Sequence, residues 1–282
     1  MNVIKDKMEI KHWKIKICVI IVISIFLFWQ NNVLVISKYN YENEKVTESM
    51  DGFTIVQISD LHNKKIGQNY LIKKIESQHP DIIVITSNLN DSRYTKTEVS
   101  INFIKKAVKI APVYYVTGNH EDWVKDEKEE DYKKLISSME TLGVVILENK
   151  TIEVNTGEDS SFYLTGVFDN DLNTNELHNI TDNINKDKVS ILLAHEPQFI
   201  NRYSEENVDL VFSGHAHGGQ IRLPIVGGLF SPEQGAFPKY TAGEYFVKDT
   251  TLVVSRGLGN STFPFRIFNQ PEIVVVTLKQ MD

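Results

Sequence analysis

Five of the eight histidines in this sequence stand within four residues of the end of a short apolar run. FTIVQIS at 53–59 leads into Asp60-Leu61-His62, IIVIT at 82–86 into Ser87-Asn88, and VYYVT at 113–117 into Gly118-Asn119-His120-Glu121. ILLA at 191–194 leads into His195-Glu196, and LVFS at 210–213 into Gly214-His215-Ala216-His217. Imidazole nitrogens mixed with carboxylate and amide oxygens, without a thiolate, suit Mn, Fe or Zn ions better than an all-oxygen magnesium cage. One such fragment alone is an ordinary turn, and His12, His79 and His178, which follow no such run, keep that reading. Five in succession, with Gly118 and Gly214 as permissive turn residues, predict a single metal-binding site.

The runs that end in these residues have the length and composition of strands. Between them, segments near 69–79, 97–109, 126–141 and 196–206 suit helices. The alternation predicts an α/β layered domain, in which ligands gather beyond the carboxyl ends of the strands. Further strands are expected near 219–223, 243–247, 251–255 and 272–278 without comparable helices between them, so part of the sheet system should be mixed or antiparallel.

With these motifs in order, the sequence resembles the calcineurin-like metallophosphoesterase superfamily, and within it the bacterial phosphoesterases that carry an N-terminal membrane segment. The pattern DxH, GDxxD, GNH(D/E), a lone His and GHxH is met by DLH at 60–62, SNLND at 87–91, GNHE at 118–121, His195 and GHAH at 214–217. The likeness runs from about residue 53 to the end, taking in GGQIRLP after the last motif and RGLGNSTFPFRIFNQPEI at 256–273. It implies an α/β four-layer sandwich, two mixed β-sheets flanked by helices. It also implies two divalent metal ions, one held by Asp60, His62 and His217, the other by Asn119, His195 and His215, with Asn88 at the position that bridges both.

In the same resemblance His120 protonates the leaving group, Asp91 orients His120, and Arg93 approaches a phosphate oxygen. The sequence departs from the pattern at Ser87, where glycine is usual, and at Asn88, where the bridge is usually aspartate. An asparagine carbonyl oxygen carries no net charge and cannot supply anionic oxygens to two cations, so one metal should bind tightly and the other weakly. Three readings follow: a phosphoesterase acting on phosphate mono- or diesters with a weakened bridge, a metal- or phosphate-binding pseudoenzyme on the same fold, or a structural envelope protein.

The remaining chain bounds where such a domain works. At 282 residues and 41% hydrophobic composition it is long enough for one large domain or two small ones. Its single cysteine, Cys18, excludes an intrachain disulfide framework. Residues 1–16 form a basic tail with Lys5, Lys7, Lys11, Lys14 and Lys16 against Asp6 and Glu9, a net of +3, which leaves −10 of the total −7 on residues 17–282. A domain this acidic repels phosphate backbones, so nucleic acid is an improbable partner.

Residues 17–36 have the length of a transmembrane signal anchor, about 30 Å as helix, with Trp13 and Trp29 placed for the two interfaces. The competing reading is a cleaved secretory signal, but no alanine precedes Ala107 and no arginine precedes Arg93, so neither an Ala-x-Ala site nor a twin-arginine signal is present. The expected order is therefore a cytoplasmic tail at 1–16, an anchor at 17–36, a polar tether at 37–52 and an extracytoplasmic domain at 53–282, a single-pass protein of the cell membrane.

Overall fold

A computed structural model describes residues 2–65, 67–157, 160–168, 174–261 and 263–281. Met1, Thr262 of the 256–273 stretch, and the side chains of residues 2–11, among them Lys5, Lys7 and Lys11 of the basic tail, lie outside the described residues. The helices are α1 (Asn2–Asn32), α2 (Gln68–Glu76), α3 (Thr97–Ala107), α4 (Asn119–Glu127), α5 (Glu129–Thr141), α6 (Thr174–Thr181) and α7 (Ile200–Tyr203). The strands of the first half are β1 (Val35–Asn43), β2 (Thr54–Ile58), β3 (Ile82–Ile85), β4 (Val113–Tyr115) and β5 (Val145–Ile146). Then come β6 (Lys150–Gly157), β7 (Ser160–Gly166), β8 (Ser190–Leu193) and β9 (Leu210–Ser213). Two small hairpins follow, β10 (Arg222–Leu223) with β11 (Gly227–Gly228) and β12 (Phe230–Ser231) with β13 (Gly235–Ala236). The last strands are β14 (Gly243–Val247), β15 (Thr250–Val254) and β16 (Glu272–Gln280).

These elements build two mixed six-stranded sheets, in the orders β1-β16-β2-β3-β4-β5 and β14-β15-β9-β8-β7-β6. In the first, β2 to β5 are parallel and β16 enters antiparallel to β2. In the second, β15, β9, β8 and β7 are parallel and the edges β14 and β6 are antiparallel. Alternation along each strand sorts side chains into layers. Val56 and Ile58 of β2 face outward to Leu71, Ile75, Phe103 and Ile104 of the helices. Ile55 joins Phe162, Leu164, Ile191 and Phe212 between the sheets. Leu192 and Val211 turn outward to Leu177, Ile200 and Tyr203. The result is the expected α/β sandwich of four layers, helix, sheet, sheet, helix.

Several expectations are corrected. The segment at 37–52 is no tether, the apolar span expected to reach residue 36 stops at Asn32, and the domain begins before 53: β1 pairs in parallel register with β16 from Val35↔Glu272 to Asn43↔Gln280. Within β1 the inward positions of this segment are tyrosines, Tyr41 buried and Tyr39 half-buried, while Lys38, Asn40 and Glu42 face solvent; beyond the strand Val46 and Met50 are buried in the core between the sheets. The single helix expected near 126–141 is two, α4 and α5, broken at Lys128, whose φ of −143° and ψ of 55° are non-helical. Near 196–206 there is only a short turn of 3₁₀ helix at Pro197–Phe199 leading into the four-residue α7.

Within α1, His12–Asn32 is long and apolar enough to cross a membrane, with a mean hydropathy of 1.9 over its most apolar part, none of which is buried against the domain. The end of the helix is engaged with the domain, Phe26 through the Phe268 ring and the last turn through hydrogen bonds. Gln30 is buried and its side-chain oxygen accepts from the Asn269 backbone N–H at 3.1 Å. Asn31 Oδ1 accepts from the Arg266 N–H at 3.0 Å, and its carbonyl accepts from Lys64 Nζ at 2.7 Å.

Candidate metal centre

Every residue selected from the sequence lies beyond the carboxyl end of a strand. Asp60 and His62 follow β2, Ser87 to Asp91 follow β3, Asn119 and His120 open α4 after β4, His195 follows β8, and His215 and His217 follow β9. Three of these strands belong to one sheet and two to the other, so the site forms where the ends of both sheets meet. Asp60, His62, Ser87, Asn88, His215 and His217 all hold left-handed φ values, from 45° to 64°. That conformation costs a non-glycine residue about 1–2 kcal/mol and persists only where the surroundings enforce it.

Part of the enforcement comes from Glu121. Its buried carboxylate accepts from Ser87 Oγ at 2.5 Å and from the backbone N–H of Asn88 at 2.9 Å and Asn90 at 3.0 Å. Burial pushes the Glu121 carboxyl up, and these hydrogen bonds oppose that shift by favouring the ionised form. Gly118 is required by close approach: a Cβ there would stand 2.6 Å from Asn88 Oδ1 and 3.0 Å from the His195 ring.

The first group of donors fits a divalent ion. His62 Nε2 and His217 Nε2 face each other at 3.2 Å, with Asp60 Oδ1 at 3.6 Å from one and 3.4 Å from the other. Ligand atoms held at about 2.0–2.2 Å from one ion are separated by about 3.0–3.5 Å. Burial would raise the Asp60 carboxyl, but the neighbouring His217 and His62 hold it well below the usual range. Burial keeps the His217 imidazole well below its ordinary value, so it is neutral and offers a lone pair. On His62 burial acts downward, and Asp60 and Asp91 outweigh it and raise the imidazole.

The second group carries the same donor types with its tautomers fixed from behind. His195 Nδ1 lies 2.8 Å from the Thr86 carbonyl oxygen, which can only accept, so that nitrogen carries the hydrogen and Nε2 carries the lone pair. His215 Nε2 likewise donates to the Glu233 carboxylate. The remaining nitrogens, His195 Nε2 and His215 Nδ1, face each other at 3.2 Å, and Asn119 Oδ1 is 3.2 Å from His195 Nε2. Two lone pairs at this distance call for a cation between them, either a proton on His215 or a metal ion. Burial holds His195 down to about 4, whereas Glu233 overcomes burial and raises His215. Imidazoles that donate their rear N–H to a carbonyl or carboxylate are the usual form of metal-ligating histidine. Thr86 and Glu233 were not among the expected residues, since one acts through its backbone and the other lies in the loop between β12 and β13 with no motif around it.

Asn88 reaches the centre of both groups, but with the other end of its amide. The backbone N–H of His120 donates to Asn88 Oδ1 at 3.1 Å, which turns the NH₂ inward. Nδ2 then donates to His195 Nε2 at 2.9 Å, Asn119 Oδ1 at 3.0 Å and Asp60 Oδ1 at 3.2 Å. A donor amide among three acceptor atoms does not fit the bridging ligand expected at this position. The six other donors fit; the bridge does not.

The expected Asp91–His120 pair is not formed either. Asp91 is gripped by Arg93, which donates from Nε to Oδ1 at 3.0 Å and from Nη2 to Oδ2 at 2.7 Å, and the same Oδ2 lies 3.6 Å from His62 Nδ1. His120 Nδ1 instead accepts from the Ser92 N–H at 3.1 Å, leaving Nε2 as the hydrogen-bearing nitrogen. Burial, helped by the neighbouring His62, lowers His120 to about 3, so it is a neutral donor. Arg93, Asn119, His120, Trp123 and Glu233 line a cavity of about 140 Å³ over the donors. Asp91 therefore supports a metal-site histidine and holds Arg93 at the mouth of that cavity.

Comparison with known proteins agrees with this geometry. Residues 53–219 match the family described as calcineurin-like phosphoesterase. The chain is 29% identical over 249 residues to the uncharacterized metallophosphoesterase YkuE of Bacillus subtilis (strain 168), covering 86% of this chain and 85% of that protein. It is 28% identical to the transmembrane protein with metallophosphoesterase domain of Danio rerio, over 84% of this chain and 55% of that protein. The fold is similar to that of TT1561 of Thermus thermophilus, with a TM-score of 0.51 at 12% identity, over 73% of this chain and 90% of that one.

Proposed function

This chain belongs to the calcineurin-like phosphoesterase family, and on that premise we propose that it is a membrane-tethered, metal-dependent phosphoesterase hydrolysing phosphate mono- or diesters. The observation that carries the reading is the pair of facing imidazole contacts, His62 with His217 and His195 with His215, both at 3.2 Å. Asp60, His62 and His217 would hold one divalent ion, and Asn119, His195 and His215 the second; Mn, Fe and Zn suit these donors. Bound there, such ions supply Lewis-acid charge to phosphoryl oxygens and lower the pKa of water. His120 directs its Nε2–H to the leaving oxygen, Arg93 meets a non-bridging phosphate oxygen, and Trp123, with its ring 4.8 Å from that of His120, shields the donor from solvent.

The anchor belongs to the same reading. Its support is the lysine-rich start, the apolar span, and the buried bonds that Gln30 and Asn31 make with the domain, which a cleaved signal would forfeit. The lysine-rich tail supports a cytoplasmic N-terminus and a domain on the outer side. Full-length protein is then expected to stay with membranes after a high-salt wash, and recovery of a soluble form starting near residue 37 would sink the anchor.

A second reading is favoured by the inward NH₂ of Asn88: a protein that binds metal or phosphate without useful turnover. Hydrolysis of an aryl phosphodiester with added Mn, by the natural chain and by Asn88→Asp, separates the two. Turnover by the natural chain supports the enzyme; turnover by the variant alone supports the pseudoenzyme.

A further inference from the structure

A cavity of about 750 Å³ opens between the end of α1 and the loops beside the candidate metal centre. Leu27, Phe28 and Asn31 of α1 form one wall, Pro264 and Phe265 another, and the loop at His62, Lys64 and Lys65 a third. It thus joins the last turns of the membrane helix to the loop that carries His62, whose imidazole is itself buried behind the cavity wall. Only Val33 and Leu34 separate α1 from β1, so the domain cannot swing away on a linker. The last turn is bonded to both loops that carry the first group of donors. Lys64, beside His62, donates to the Asn31 carbonyl, and Asn269, whose N–H meets Gln30, donates from Nδ2 to the His217 carbonyl at 2.7 Å.

One side of the cavity rim is apolar and exposed, opposite the polar side formed by Asn31, Lys64 and Asn260. Phe265 is 45% exposed, Phe263 43% and Phe268 55%, and Phe268 sets its ring 5.5 Å from Phe26 of α1. Phe263 continues this surface to Phe230, 53% exposed, across a second apolar cavity of about 280 Å³. Exposed aromatic side chains continuous with a membrane helix match the acyl–headgroup boundary. Exposed Lys65 at the cavity edge supplies charge of the sign that phosphate needs.

We propose that the phosphate ester taken by this centre is a membrane lipid phosphate, entering sideways from the bilayer with its acyl chain along Leu27, Phe28 and Phe265 and its phosphate first meeting Lys65 on the loop that carries His62. This rests on the phosphoesterase and anchor readings above. Hydrolysis breaks the phosphorus–oxygen bond to the lipid alcohol; water gives its oxygen to phosphorus, one proton to the departing alcohol and one to solvent. A soluble ester carrying the same phosphate forgoes the apolar wall, and each methylene removed from water is worth about 4-fold in affinity.

The test uses the full chain in bilayer discs and a phosphatidate with a photoactivatable diazirine in its acyl chain. The matching diacylglycerol probe lacks the phosphate, and glycerol 3-phosphate serves as a soluble competitor. Labelling is expected at residues 24–28 and 263–265, stronger with the phosphatidate, displaced by unlabelled phosphatidate and not by glycerol 3-phosphate. Phe265→Glu should cut it by about 10-fold, the worth of roughly two methylenes, at an unchanged melting temperature. Equal labelling by both probes, or labelling confined to the flank at 17–23, overturns the proposal by identifying bulk lipid around the helix.

An aryl phosphodiester assay on the same discs keeps the premises apart. Turnover of the soluble ester without phosphate-dependent labelling refutes the lipid while leaving the phosphoesterase. Phosphate-dependent labelling with no turnover, even in Asn88→Asp, upholds the lipid site and removes the enzyme. Loss of the chain from the discs removes the anchor and the sideways route together.

Discussion

The two halves of the proposed metal centre use nearly the same side chains and differ in what stands between them. In the half formed by Asp60, His62 and His217, a buried carboxylate lies 3.4–3.6 Å from both imidazoles and supplies the charge that a cation needs. In the half formed by Asn119, His195 and His215, the donors are neutral, the nearest carboxylate is Glu233 behind His215, and the Asn88 NH₂ points at the acceptor atoms. The number of imidazoles therefore does not set metal affinity on its own. The anionic oxygen and the orientation of the bridge do, and the first half should bind at least an order of magnitude more tightly.

The harshest way to break this comparison is Asp60→Asn, which removes the charge from the strong half. Since loss of a supporting partner alone costs about 10- to 100-fold, metal affinity there should fall by at least about 100-fold in a calorimetric titration. Elemental analysis should show the same direction for His217→Ala, while His79→Ala leaves metal content alone. A full metal complement in Asp60→Asn would mean that the halves do not differ in charge as described.

Asn88→Asp should erase the contrast from the other side. One oxygen keeps the His120 N–H and the other replaces the inward NH₂ with a negative charge, so the weak half should tighten and phosphodiester turnover rise by about 10-fold or more, roughly 1.4 kcal/mol in barrier. Adding His120→Asn should remove most of the gain. Unchanged metal stoichiometry and rate would show that position 88 lies outside the centre.

Glu233→Gln sharpens the comparison by touching one half alone. His215 loses the anion behind it, and the weak half should loosen by about 10-fold while the Asp60 half titrates as before. The smallest effect is expected at Ser87→Gly, where relief of about 1–2 kcal/mol of left-handed strain is offset by loss of a hydrogen bond to Glu121 worth about 1.5–3 kcal/mol. Thermal unfolding should shift by only a few degrees, and a large shift would mean that one of these opposing effects is absent.

Much of this arrangement was legible in the sequence because strand ends are marked by apolar runs, and the residues after them have few places to go. The strands delivering Asp60, Asn119, His195 and His215 were read that way. Strand β1 was missed because its buried positions are tyrosines alternating with charged and amide residues, which by composition resemble a linker. The partner of Asp91 was misplaced because Arg93, two residues on, closes a short fork on it, while the Ser92 N–H reaches His120 first. The orientation of Asn88 is decided by a backbone N–H 32 residues away, and Glu233 acts from a hairpin loop with no pattern of its own. Such contacts depend on tertiary placement, which spacing along the chain does not encode.

The pairing of β1 with β16 also fixes the order in which the protein can be finished. β16 lies between β1 and β2, so the first sheet has an empty place in its middle until residues 272–280 have left the ribosome. Until then β1 and β2 each present an unpaired edge, open to wrong partners, and closure across most of the chain is the slow kind of contact. The residues that precede β16 include Arg266 and Asn269, which tie the end of α1 to the His217 loop. Closing the sheet and locking the loops at His62 and His217 are thus one event: until β16 pairs with its neighbours, the residues that converge beyond the strand ends are not held together.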